Sequence, residues 1–114
     1  MSSKQTYLSL AQQRALEELK QRLNKQFDYI EHLILYGSAA RGDSDDESDM
    51  DLLIITAQPL SRLRRHEITD TVFEVNLKHG TNISTMVVDL ASWENGAVSV
   101  LPIKKAISRD GIAI

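Results

Sequence analysis

Residues Leu33 to Ile55 read LILYGSAARGDSDDESDMDLLII, and the order of features along them decides the fold. Leu33-Ile34-Leu35-Tyr36 is a short apolar run that ends at Gly37, the signature of a buried strand. Glycine permits a tight turn and close backbone approach, and Ser38 adds a hydroxyl. The small residues Ala39-Ala40 can begin a helix, whose first N–H groups would face an anion. Together these groups suit phosphate oxygens, although a Gly-Ser pair alone is most often only a turn. Asp51-Leu52-Leu53-Ile54-Ile55-Thr56 then reads as a second strand, stopped before Pro59.

Asp49 and Asp51 stand two apart where that strand starts, and side chains two apart on a strand share a face. Two carboxylates side by side repel one another, and burial worsens both. A divalent cation resolves the conflict, because Mg²⁺ takes one or two carboxylates together with phosphate oxygens and waters. A second reading leaves Ser48-Asp49 in the acidic loop Asp43–Ser48 and brings only Asp51 into the strand. The spacing is more specific than either part: Gly37-Ser38, ten positions, then Asp49-Met50-Asp51. A turn, a short helix and a return loop would set the phosphate cradle beside the carboxylates.

Working outward, Ser9 with Gln12 has the form of a capping box. Leu16, Leu19, Leu23 and Phe27 recur at helical spacing behind it. A helix over 60–77 is expected to turn Leu63, Ile68, Val72 and Val75 inward, with Gly80 as its stop. NISTMVV, from Asn82 to Val88, reads as a third strand, and Asp89 as the cap of a short helix holding Trp93. Pro102 suits the first turn of a last helix carrying Ile103, Ala106 and Ile107. Gly111 ends it, and Ile112-Ala113-Ile114 can add a short strand. Helices alternating with apolar strands give an α/β (α+β) class, a small mixed sheet flanked by helices.

The bulk numbers agree. The chain has 114 residues, suited to a single domain over 1–114, with 42% hydrophobic and 25% charged residues. A net charge of −3 argues against a strong nonspecific grip on nucleic acid. Two basic clusters, Arg62-Arg64-Arg65-His66 and Lys104-Lys105-Arg109, read either as solvated helix faces or as a rim for an anionic ligand. No apolar run reaches the roughly 20 residues of a membrane-spanning helix. Met1–Ser9 lacks the form of a signal peptide, and cysteine is absent, so a cytoplasmic setting is expected. His32, His66 and His79 have no metal-ligand spacing, and no histidine stands to activate Ser38.

The stretches Tyr36–Asp43 and Ser48–Leu52 resemble the nucleotidyltransferase fold of the DNA polymerase β superfamily, and within it the minimal nucleotidyltransferases. Those are commonly encoded beside a helical HEPN-type partner as toxin–antitoxin pairs. The ending Ile103–Gly111, IKKAISRDG, also resembles one branch of the superfamily. The resemblance implies that Gly37, Ser38, Arg41 and Ser48 contact a nucleoside triphosphate and that Asp49 and Asp51 are the catalytic ligands of Mg²⁺, two ions in the family pattern. It implies transfer of a nucleoside monophosphate, AMP from ATP, to a hydroxyl on a HEPN-type partner, by a protein that works in an assembly. Arg41 has two readings, phosphate neutralisation or pairing with Asp43 and the acidic loop.

The resemblance departs at Asn82, where a third carboxylate, if present, would fall. An amide can coordinate through its oxygen but supplies neither charge nor base. The alternative is therefore a weak or inactive site in an antitoxin that neutralises its partner by binding.

Overall fold

The computed structural model describes residues 8–41 and 49–114. Gly42, Asp43 and the rest of the acidic loop through Ser48, whose nucleotide contact was expected above, lie outside the described residues. A four-stranded mixed sheet has the order β3-β2-β1-β4, with β1 Ile30–Tyr36, β2 Met50–Thr56, β3 Ile83–Asp89 and β4 Ile112–Ala113. β1 runs antiparallel to β2 and β4, whereas β2 and β3 are parallel and need the crossover helix α3, Arg62–His79. Helix α1 is Leu10–Gln26, α2 Ser38–Arg41, α4 Leu90–Asn95 and α5 Pro102–Asp110, with a 3₁₀ turn at Ala97–Val100.

Local chemistry explains most boundaries. Ser9 and Gln12 form the expected capping box, the Ser9 hydroxyl accepting from Gln12 N–H at 3.1 Å and the Gln12 side chain accepting from Ser9 N–H at 2.9 Å. Ser61 caps α3, and Gly80 ends it at φ 66°, a left-handed conformation that glycine adopts without penalty. Asp89 caps α4 by accepting from Ser92 N–H at 3.0 Å.

Strand alternation divides β2 between two cores. Met50, Leu52 and Ile54 face α1 and α3, where Leu16, Leu19, Leu23, Ile68, Val72 and Val75 are buried with them. Leu53 and Ile55 face the other way, onto Trp93 of α4 and Ile107 of α5. One expectation is corrected: Leu63 is 72% exposed. Ile68, Val72 and Val75 define the buried side of α3, and Leu63 lies on the opposite side of the helix from them. Apolar spacing in the sequence could not distinguish the two sides of the first turn.

Candidate nucleotide and metal site

The second face of β2 changes character along its length. Ile55 and Leu53 are buried beneath α4 and α5, Asp51 is half-buried, and Asp49, one residue before the strand, is exposed. Met50 is fully buried on the first face, so strand alternation directs Asp51 to the second. Among the described residues, burial beneath the helices ends before Asp51, which stands at this end of the face. The strand begins at Met50, so the second reading holds: Asp49 stays at the edge of the acidic loop and only Asp51 enters the strand, although the Asp49 charge still acts on the Asp51 carboxyl.

Gly37 ends β1 with φ 75°, and Arg41 N–H closes the following one-turn helix on Gly37 C=O at 3.2 Å. The first amide groups of a helix, here those of Ser38, Ala39 and Ala40, have no partner in its own ladder. A Cβ built on Gly37 would lie 2.5 Å from Asp51 Oδ2. The structure thus brings Gly37 and Asp51 into direct apposition, with Ser38 and Arg41 in the adjoining turn and Asp49 just before the strand.

Burial raises the Asp51 carboxyl above its ordinary value, and the Asp49 charge raises it further. Among the described residues, the Asp51 carboxylate takes part in no hydrogen bond or salt bridge, and no third acidic or histidine side chain joins the pair. Two carboxylates that repel each other fit the hard-oxygen chemistry of Mg²⁺. Asp49 and Asp51 are the residues that could hold it.

Register reveals neighbours that sequence reading did not assign to the site. Tyr36 is the cross-strand partner of Asp51 on β1, and Ser84 its partner on β3. Burial raises the Tyr36 phenol, with a further contribution from the Asp51 charge. Ser84 is exposed. Met50 N–H donates to Asn82 C=O at 2.8 Å, which sets Asn82 at the level of Asp49, two residues before Ser84 on the same face. Strand parity could have suggested Ser84 only once the pairing of β2 with β3 was known. His32, His66 and His79 stand away from this turn; His79 instead meets Glu18 at 3.1 Å.

The chain belongs to the polymerase beta nucleotidyltransferase family, whose model matches residues 17–107. It is 39% identical over 77 residues to a Methanocaldococcus jannaschii protein named "Putative protein adenylyltransferase", a match covering 65% of this chain and 52% of the relative. The matched part spans about half of that relative's length. A Sulfolobus solfataricus structure described as a "putative nucleotidyltransferase" superposes with a TM-score of 0.59 at 19% identity, covering 88% of this chain and 76% of the other. A Shewanella oneidensis complex of a tri-AMPylated HEPN toxin with its MNT antitoxin gives a TM-score of 0.55 at 16% identity, covering 90% and 70%. At such identities the structural likeness speaks for the fold, which is that of the nucleotidyltransferases. Among the described residues, no helix is long and apolar enough to cross a membrane.

Proposed function

We propose that this chain is a Mg²⁺-dependent nucleotidyltransferase that moves AMP from ATP onto a hydroxyl of a HEPN-type helical partner, and so acts as an antitoxin. The observation that carries the reading is the close approach of Gly37 to Asp51, whose carboxyl also feels the charge of Asp49. Gly37, Ser38, Arg41 and Ser48 bind the triphosphate, and Asp49 and Asp51 hold Mg²⁺. The acceptor oxygen attacks the α-phosphorus, the bond to the bridging oxygen of the β-phosphate breaks, and pyrophosphate leaves. When bound, the cation neutralises developing phosphate charge. The acceptor and base preference are drawn from the adenylyltransferase relative and the HEPN–MNT neighbour. The same reading makes residues 1–114 one domain, working in the cytoplasm as part of an assembly.

One observation favours a second reading. The residue level with Asp49 on the neighbouring strand is the uncharged Asn82, which supports an antitoxin that neutralises by occupying its partner. Both readings meet in one experiment. The protein is incubated with α-labelled ATP, Mg²⁺ and the product of the adjacent reading frame. The transferase reading expects label on the partner, lost in the Asp49→Ala/Asp51→Ala double variant. A stable complex and full neutralisation by that variant, without label transfer by wild type, would establish the binding reading instead.

A further inference from the structure

Helix α3 carries two apolar faces, and the core uses only one. Ile68, Val72 and Val75 are buried, whereas Leu63, Phe73 and Leu77 are 72%, 62% and 68% exposed. Single apolar side chains on a surface need no explanation, but these three fall on one line. Residues 63, 66, 70, 73 and 77 are spaced alternately by three and four, which sets them along one side of the helix like the seam of a coiled coil. His66 and Asp70 fill the seam between Leu63 and Phe73, and both are exposed. From Leu63 to Leu77 it runs about 21 Å, at about 1.5 Å per residue.

The order of residues along the seam is self-complementary. Leu63 and Phe73 lie equally far on either side of Ile68 along the helix, and so do His66 and Asp70. An antiparallel copy of α3, related by a two-fold axis at the level of Ile68, therefore sets Leu63 against Phe73 of the second copy and His66 against its Asp70. Each contact then occurs twice, as an isologous interface requires. Two apolar contacts flank two in which an imidazole N–H can donate to a carboxylate. Among the described residues, the His66 and Asp70 side chains enter no hydrogen bond or ion pair, although residues four apart on a helix are close enough to pair. The two acidic residues beside the seam are already matched within the chain, Glu67 by Arg64 at 3.1 Å and Glu74 by Arg22 at 2.5 Å. A parallel copy in register would instead oppose Asp70 to Asp70 and His66 to His66.

We propose that this face of α3 binds a second copy of the chain, forming an antiparallel and weakly held homodimer. One helix pair lies at the small end of specific interfaces, so the association is reversible. It does not depend on the nucleotide reading, which label transfer tests separately. The test is sedimentation equilibrium of the full chain at rising concentration, for wild type, Phe73→Asp, His66→Asp and the double variant His66→Asp/Asp70→His. Wild type is expected to show a monomer–dimer equilibrium. Phe73→Asp should weaken it by about tenfold or more, the loss of an aromatic anchor. His66→Asp sets carboxylate against carboxylate and should weaken it by about fivefold. The double variant exchanges the two partners and should restore most of that loss. All three positions are exposed in the single chain, so thermal melts should stay close to wild type. A wild type that remains monomeric up to about 1 mM overturns the proposal. So does a dimer indifferent to Phe73→Asp, or one that the exchanged pair does not rescue, because neither uses this face in this register. If the chain is monomeric and Phe73→Asp instead breaks a complex with the product of the adjacent reading frame, the face belongs to that partner and the homodimer is refuted.

Discussion

A methyl group at Gly37 and the Oδ2 atom of Asp51 would have to stand 2.5 Å apart, so the turn and the carboxylate share a space that only glycine leaves open. The glycine also has φ 75°, which an L side chain adopts at a cost. The turn that shapes the proposed phosphate site and the strand that carries the proposed metal ligands are therefore one steric unit.

Gly37→Ala is accordingly expected to lose about 1–2 kcal/mol of stability, the cost of a left-handed backbone for a residue with a Cβ, while the Asp51 carboxylate swings aside. Urea unfolding measures this. The displaced Asp51 carboxylate should also abolish label transfer under conditions where the variant remains folded. A variant with wild-type stability would show that the Gly37 backbone relaxes freely.

Asp51 should be a liability to the metal-free fold. Its pKa is raised in the folded state, so its contribution is unfavourable above that folded value and is relieved as pH falls through it. At neutral pH, Asp51→Asn is expected to raise the Tm by about 2–4 °C without Mg²⁺. Addition of Mg²⁺ and ATP should stabilise wild type and not the variant, reversing their order. If wild type melts higher even in a chelator, the carboxylate has compensating partners.

Asn82→Asp places a third carboxylate level with Asp49. Mn²⁺ affinity, followed by paramagnetic line broadening, should rise about tenfold, equivalent to about 1.4 kcal/mol. The metal-free variant should melt lower than wild type because three like charges now crowd one end of the sheet. Unchanged affinity would mean that the Asn82 side chain does not reach the ion.

A separate expectation concerns the scaffold. Glu18 on α1 meets Lys78 Nζ at 2.8 Å and His79 Nε2 at 3.1 Å on α3. The Lys78 bond, then the His79 bond, lower the Glu18 carboxyl in the folded state. Stability from this group is present above the unfolded pKa and is lost as pH falls through the depressed folded value. The difference in urea midpoint between wild type and Glu18→Gln should therefore shrink as pH drops from about 6 to about 3. A constant difference would assign the effect to packing.

Asp49, Met50 and Asp51 show why so much of the site was legible. A strand period of two puts Asp51 on the face opposite Met50 and Leu52, whereas Asp49, just before the strand, is near it only through sequence proximity. The same locality made the Ser9 box, the Asp89 cap and the Gly80 stop readable, since each depends on atoms only a few residues apart. Leu63 was misjudged because an apolar side chain in a first helical turn carries no sign of which side the sheet will occupy.

The apposition of Gly37 with Asp51 and the place of Ser84 beside it belong to the tertiary structure alone. Each follows from strand pairing between residues far apart in the chain, and register is set by how two cores fill on opposite faces of β2. From the sequence alone came the pair of carboxylates, the glycine turn and the ten positions between them. Packing decided which neighbours surround them, because burial beneath α4 and α5 ends between Leu53 and Asp51 among the described residues.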